Sequence, residues 1–118
     1  MRGVVSLAGI ADMKKFRPGC GDAVTKLLGG PPEEFPERYR QTSAVELLPL
    51  GVRQWLIHGA YDRIVPLKQS MRYKAAADAK GNDVRLTVLD DTGHFDLIAP
   101  RSNAWTAVIE AVRTLLKK

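Results

Sequence analysis

The stretch that decides the fold of this chain reads HGAYDRIVP over residues 58–66. This stretch begins at the last residue of the strand-like run Arg53–His58. A second stretch, DDTGHFD over residues 90–96, directly follows the alternating run Val84–Leu89. Short runs rich in apolar and β-branched residues, bounded by turn residues, predict buried strands. Each stretch therefore lies where a strand ends and a loop begins.

The rest of the chain predicts one further strand, Gly3–Leu7, and several helices. The predicted helical segments are Asp22–Leu28, Tyr39–Leu48, Leu67–Lys80 and about Asn103–Leu116. We expect Asp22 and Ser102 to cap the first and last of these. We expect Gly81 to end the alanine-rich third segment.

The last helix is predicted by a set of apolar residues that fall on one face at helical spacing. That set is Trp105, Val108, Ile109, Val112, Leu115 and Leu116. Trp55, which alternates with core positions in the second strand, and Trp105 are both expected to pack in the core rather than to contact substrate.

The predicted order of strands and helices is typical of an α/β fold with a parallel sheet. We therefore expect a three-stranded parallel sheet with flanking helices, in a single domain over residues 1–118. A small helical insert is expected over about residues 11–50. Functional groups of such sheets gather at the carboxyl ends of the strands. Asp62 and His94, which follow two strand ends, should meet at that edge.

Composition excludes several classes of function. The 118 residues are 45% apolar, and the net charge of +5 comes from scattered lysines and arginines without a basic stripe, which argues against nucleic-acid binding. No apolar run is long enough to span a membrane. The single cysteine, Cys20, allows no internal disulfide and fits a reducing compartment, so we expect a cytoplasmic protein.

An acid after one strand and a histidine after the next form the acid–base half of a hydrolytic triad. In that role Asp62 would orient the imidazole of His94, and His94 would move the proton. Asp90 and Asp91 precede the histidine too closely to orient it, and Asp96 is expected to be a local acceptor. A metal site from His94, Asp91 and Asp96 is the alternative, but the spacing matches no known ligand pattern. We expect no metal and no cofactor.

The third triad member, a serine on a sharp G-x-S-x-G turn, is absent from this sequence. The chain has four serines, Ser6, Ser43, Ser70 and Ser102. None has the flanking glycines of that turn. We expect all four to be structural.

These motifs resemble the C-terminal part of α/β-hydrolases, in the branch that includes prolyl-oligopeptidase-like and dienelactone-hydrolase-like enzymes. In that family a strand runs into H-G-x-x-D-x-x-V-P, which carries the triad acid, and the next strand runs into a G-H loop with the triad histidine. Residues 58–66 and Gly93-His94 match these two motifs. An R-Y…S-P pattern of the family is similar to residues 38–44, although Ala44 replaces the proline.

The resemblance, which spans about Val4 to Leu116, implies the last three strands of the hydrolase fold and catalytic roles for Asp62 and His94. His58 would belong to the motif and bond locally. The first five strands, the oxyanion loop and the nucleophile would lie before Met1, through some form of truncation or on another chain.

The implied function is the C-terminal portion of a serine hydrolase for ester or amide bonds, inactive alone. A small-molecule ester or peptide would be substrate only for the complete enzyme. The alternative is a non-enzymatic interaction or oligomerisation module. Either way the open edge of the first strand predicts a partner, which is a second copy in a dimer or a chain that carries the N-terminal half.

Overall fold

Three parallel strands form the sheet of this protein, in the order β1-β2-β3. The computed structural model describes residues 1–16 and 22–117; Cys20 lies outside the described residues. The strands are β1 (Val4–Leu7), β2 (Gln54–Gly59) and β3 (Val84–Leu89). The predicted fold class is confirmed, and so is each predicted strand to within a residue at either end.

Four α-helices surround the sheet: α1 (Ala23–Leu28), α2 (Pro36–Thr42), α3 (Lys68–Ala79) and α4 (Ala104–Leu116). Two short 3₁₀ helices lie at Ala44–Leu47 and Phe95–Ile98. The end of α3 is as predicted, because Gly81 follows it in the left-handed region at φ 70°. No helix in the described part of the chain has the length and apolar content that a membrane crossing requires.

The predicted segment Tyr39–Leu48 is wrong in its boundaries. Helix α2 begins three residues earlier, because Pro36 suits the first turn of a helix. Helix α2 ends at Thr42. The extended backbone of Ser43 separates this helix from the 3₁₀ helix that follows. One predicted element is therefore two.

One predicted helix cap is confirmed in position, and the other, Ser102, is wrong. Asp22 holds the predicted N-cap position of α1, although its side chain makes no capping bond. At α4 the N-cap residue is Asn103, again without a side-chain bond. Ser102 instead donates its hydroxyl to the carbonyl oxygen of Asp96 at 2.6 Å. It therefore ties the start of α4 to the loop that carries His94.

Alternation along the strands divides the sheet into two apolar faces. On one face, Ile57 of β2 packs with α4 in a core cluster completed by Ala8, Leu97, Ala104, Val108 and Ala111. On the other face, Leu56 packs with α3 in a cluster completed by Leu48, Tyr73, Ala77 and Val84. The sheet is thus the middle of three layers.

The buried stripe of α4 is narrower than its apolar pattern suggests. The buried residues are Ala104, Val108, Ala111 and Leu115, at helical spacing. Val112 and Leu116, predicted on the same face, are 40% and 59% exposed. Trp105 packs against the core from its margin, and Trp55 does the same from β2. The small Ala104 and Ala111 are among the most deeply buried residues of this helix, at 2% and 0% exposure.

The insert between β1 and β2 has its own cluster of buried residues, formed by Phe16, Val24, Leu28, Tyr39 and Val65. The phenol of Tyr39 donates to the carbonyl of Gly30, and Arg38 donates to that of Leu28. Ser43 accepts the backbone N–H of Met13. Because Val65 belongs to this cluster, the insert also packs against the loop after β2.

Replacing Ile57 by alanine tests the central layer. Its side chain is fully buried between sheet and α4, so we expect the free energy of unfolding to fall by about 2–5 kcal/mol. Urea denaturation measures this. Val112→Ala, at a half-exposed position of α4, is the matched control and should change stability by about 0.5 kcal/mol or less. Equal effects of the two changes would contradict the assignment of this core.

Candidate active site

The loops after β2 and β3 lie side by side and are joined by backbone hydrogen bonds. The ladder pairs Gly59 with Leu89, and the N–H of Ala60 continues it by donating to the Leu89 carbonyl at 2.9 Å. The N–H of Tyr61 then donates to the Thr92 carbonyl at 3.0 Å. Backbone bonds therefore hold the two loops together independently of the side chains of Asp62 and His94.

Glycine is required at position 59 by the close approach of these loops. A Cβ atom built there would lie 2.1 Å from the carbonyl oxygen of Thr92 and 2.7 Å from its carbonyl carbon. Both are backbone atoms, so no side-chain rotation relieves the clash. Gly59 allows the β2 end to pass directly beside the loop of His94.

Asp62 is buried and fixed by its own loop. Its Oδ1 atom accepts the backbone N–H groups of Ile64 at 2.9 Å and Val65 at 2.8 Å. Its backbone N–H donates to the Gly59 carbonyl at 3.2 Å. This turn, in which an aspartate accepts the N–H groups that follow it, is a common loop structure. One carboxylate oxygen is thereby used in orienting the side chain, and Oδ2 is turned toward the neighbouring loop.

His94 meets that second oxygen. Its Nδ1 atom lies 2.8 Å from Oδ2 of Asp62, whose side chain has no exposed surface, whereas the side chain of His94 is 25% exposed. The ring of Phe95 stands edge-on to the imidazole, with centroids 5.1 Å apart. Within residues 1–16 and 22–117 no hydrogen bond engages Nε2 of His94. The structure thus brings together the two residues that the sequence singled out.

The other carboxylates near His94 have different partners. Asp96 accepts the N–H of Gly93 at 2.8 Å, which confirms the expectation of a local acceptor. Asp90 and Asp91 are exposed, and Asp91 has a positive φ of 51° that turns the chain toward the histidine. In the described part of the chain, no three His, Cys, Asp or Glu residues are placed to hold a metal ion.

All four serines are accounted for by other contacts or positions. Ser6 lies half-buried in β1. Ser43 and Ser102 make the hydrogen bonds already described. The hydroxyl of Ser70 lies 2.7 Å from Nδ1 of His58. None of the four is hydrogen-bonded to His94. The chain therefore brings Asp62 and His94 together with no serine oxygen bonded to the pair.

Two features of the site were missed by the sequence reading. His58 bonds within its own motif, as expected, and its Nε2 atom also lies 3.5 Å from Oδ2 of Asp62, a contact that the expectation did not include. The motif contains Gly59 but does not predict the contact with Thr92 that requires a glycine there. The motif H-G-x-x-D itself carried this signal, because it places both residues within four positions of the acid.

Parallel strands that end in a buried aspartate and a partly exposed histidine, with helices on both faces, have the architecture of an α/β-hydrolase. Many solved structures share this fold, and three of them serve as examples. A truncated carbohydrate esterase from gut microbiota has a TM-score of 0.81 at 20% identity, covering 98% of this chain and 42% of the esterase. Acylaminoacyl peptidase of Pyrococcus horikoshii has a TM-score of 0.80 at 21% identity, covering 100% of this chain and 20% of the peptidase.

The third structure, dipeptidyl peptidase 4 of Porphyromonas gingivalis, has a TM-score of 0.78 at 17% identity, with 98% of this chain and 16% of that one covered. The model of the prolyl oligopeptidase family matches residues 1–114, and the chain belongs to that family. It is also 32% identical over 118 residues to 5-methylorsellinic acid synthase of Aspergillus terreus. It spans 5% of the length of that curated relative.

The contact between the two loops gives a direct test of how the site is built. We expect Gly59→Ala to separate the loops, to lower the free energy of unfolding by about 1–3 kcal/mol or more, and to break the bond between Asp62 and His94. Urea denaturation measures the first effect. The ¹⁵N shifts of the His94 ring, which report where its proton lies, measure the second.

Gly93→Ala is the matched control, because it lies in the same pair of loops. A Cβ atom there would meet only Oδ2 of Asp96, at an ordinary 3.6 Å. We expect it to leave both measurements near the wild-type values. If Gly59→Ala were equally harmless, the close approach at Thr92 would not be what determines the loop arrangement.

Proposed function

We propose that this chain supplies the acid and the base of a serine-hydrolase triad, with Asp62 as the acid and His94 as the base. The observation that carries the proposal is the 2.8 Å contact between Nδ1 of His94 and Oδ2 of a fully buried Asp62. A carboxylate accepts but does not donate, so the proton of this bond lies on Nδ1. Nε2 is then the ring atom with a free lone pair.

In this mechanism Nε2 of His94 takes the proton of a serine hydroxyl as the oxygen attacks a carbonyl carbon. It returns the proton to the leaving alcohol or amine when the tetrahedral intermediate collapses. Asp62 holds the ring in the required tautomer and stabilises the imidazolium formed in between. Its burial supports this role, because a charge interaction in a water-poor site is stronger than one in solvent.

The serine and the backbone donors that hold the oxyanion are proposed to come from outside this chain. Three of the four serines are hydrogen-bonded elsewhere and Ser6 lies within β1, and the chain spans less than half the length of each solved structure described above. We accordingly propose that the chain alone forms no acyl-enzyme. A lone histidine–carboxylate pair lacks the nucleophile and the oxyanion donors that supply most of the rate.

The proposed substrates are carboxylic esters or amides, in the form of a small ester or a peptide, and they bind only to the complete enzyme. The esterase and peptidases with the same fold support this class. Triad chemistry needs a hydroxyl nucleophile and proton transfer, so we propose neither cofactor nor metal. The single cysteine supports a cytoplasmic location.

Transplantation tests the roles of Asp62 and His94. The segment of Pyrococcus horikoshii acylaminoacyl peptidase that this chain matches is replaced by residues 1–118. The rest of the peptidase is then expected to supply the nucleophile. We expect the chimera to react with a fluorophosphonate and to hydrolyse a p-nitrophenyl ester. In that background Asp62→Asn should lower kcat by about 10⁴-fold, since measured triads lose this much when the acid becomes an amide.

Asp91→Asn is the matched control, because it removes an exposed carboxylate from the same pair of loops. It should leave kcat unchanged, and His94→Ala should abolish labelling. Equal rates for Asp62→Asn and Asp91→Asn would refute the triad assignment. Labelling of the isolated chain would show that one of its own serines is a nucleophile.

A second candidate function, an oligomerisation module, is supported by the open side of β1. In the described part of the chain, no strand pairs with β1 on the side away from β2. A cavity of about 190 Å³ with a mostly apolar lining lies beside it, between Val4, Leu56 and Tyr73. Unpaired strand edges are templates for another strand. We propose that a second copy pairs there when no nucleophile-bearing chain is present.

Light scattering on a sizing column tests this association. We expect a mass near twice the 13.0 kDa of one chain, and Val4→Lys should return it to the monomer, because charge at an edge opposes pairing. Val88→Lys, at a similarly exposed position on β3 at the opposite edge of the sheet, should leave the measured mass unchanged. A monomeric wild-type chain at tens of micromolar would exclude the dimer.

A further inference from the structure

His58 is the second histidine of the chain and lies on β2, directly behind the proposed acid. Its side chain is completely buried, and both ring nitrogens have partners. Nδ1 lies 2.7 Å from the hydroxyl of Ser70 on α3, and Nε2 lies 2.8 Å from the carbonyl oxygen of Val65. A buried imidazole with two satisfied nitrogens has a fixed orientation, since turning the ring would leave polar atoms unpaired.

These contacts form a continuous hydrogen-bonded path from α3 to His94. The hydroxyl of Ser70 meets His58, and His58 meets the carbonyl of Val65. The N–H of the same Val65 donates to Oδ1 of Asp62 at 2.8 Å, and Oδ2 of Asp62 meets His94 at 2.8 Å. Val65 is therefore held on both sides, and its position determines where the carboxylate points.

The partners of His58 also determine which nitrogen carries its proton. A backbone carbonyl only accepts, so Nε2 must be protonated and donate to Val65. The hydroxyl of Ser70 can donate to Nδ1, which leaves a neutral ring. Oδ2 of Asp62 is 3.5 Å from the same Nε2 atom. At this distance the carboxylate is attracted by the partial positive charge of the N–H group, but the separation is beyond good hydrogen-bonding distance.

We propose that His58 is a positioning residue for the catalytic pair. It remains neutral, with its proton on Nε2, and it acts through Val65 to hold Asp62 in the orientation that fixes the Nδ1–H tautomer of His94. Ser70 sets this state by donating to the other nitrogen. The consequence for catalysis rests on the function proposed above, whereas the positioning itself is a property of this chain.

Neutrality of His58 matters because Asp62 lies between two imidazoles. A cationic His58 would place a full positive charge 3.5 Å from Oδ2 and would compete with His94 for the carboxylate. A neutral ring leaves the whole charge of Asp62 to the imidazolium that forms during the reaction. The two histidines therefore need opposite tautomers, Nε2–H for His58 and Nδ1–H for His94.

Nuclear magnetic resonance of the full 118-residue chain tests this directly, because it contains only these two histidines. Spectra that correlate the ring ¹⁵N nuclei with the ring carbon-bound protons, recorded at neutral to alkaline pH, report the tautomer of each. We expect one ring of each tautomer, and His94→Gln assigns them by removing one set. A cationic His58, or one with its proton on Nδ1, would overturn the proposal.

Two variants of His58 test whether it acts on His94. His58→Met introduces an apolar side chain of similar length and removes the donor to Val65. We expect His94 then to lose its single Nδ1–H tautomer and show a mixture of tautomers. His58→Gln restores an N–H donor, and we expect it to recover the wild-type signal at least in part. The indole signals of Trp55 and Trp105, on the other face of the sheet, report whether the fold is intact.

Ser70→Ala provides an independent reading if His58→Met does not fold. It removes only the donor to Nδ1, and we expect the ¹⁵N signal of that nitrogen to shift while the Val65 carbonyl keeps the proton on Nε2 and the indole signals stay unchanged. A His94 tautomer unaffected by His58→Met in a folded chain would overturn the positioning role and leave the triad assignment standing. A chimera without hydrolase activity would refute the triad and leave these spectra unchanged.

Discussion

The pairing of β2 with β3 is the constraint on which the site depends. The ladder runs without a break from Gln54 opposite Val84 to Gly59 opposite Leu89, so both strands reach the same edge of the sheet in register. A slip of one residue would turn every side chain to the opposite face and move Ile57 from the α4 side of the sheet to the α3 side. The hydrophobic core therefore fixes the register, and the register brings the two loops together. Stability and site geometry have one physical origin here.

Asp62 is oriented by local bonds, and this explains how Asp62 and His94 are arranged within this chain alone. Asp62 uses Oδ1 for two N–H groups of its own loop, and only Oδ2 is left for His94. Burial of a carboxylate is costly unless its oxygens are paired, so the loop must keep this conformation. His94 adapts to a carboxylate that is already in place, and its exposed side faces outward, where Nε2 can meet a hydroxyl.

The sequence predicted the elements that depend on short-range pattern. Alternation in Val84–Leu89 gave β3 with its observed bounds, and the two motifs gave Asp62 and His94 because strand ends in a parallel sheet meet at one edge. The sequence-based prediction failed where contacts outside a single helix or strand determine the structure. Ser102 had the chemistry of a helix cap, but the carbonyl of Asp96 competes for its hydroxyl. The contact of Gly59 with Thr92 joins residues far apart in sequence, and no local pattern records it.

The open edge of β1 and the Asp62–His94 pair are related by geometry. Neighbouring strands lie about 4.8 Å apart, so the end of a parallel strand added beyond β1 would lie roughly 10 Å from the end of β2 and roughly 15 Å from that of β3. His94 follows the end of β3 by five residues, which can span at most about 17 Å when extended. A nucleophile delivered by such a strand would thus be within reach of the His94 loop. Both proposed functions use the same edge, so we propose that the strand that pairs with β1 decides between them.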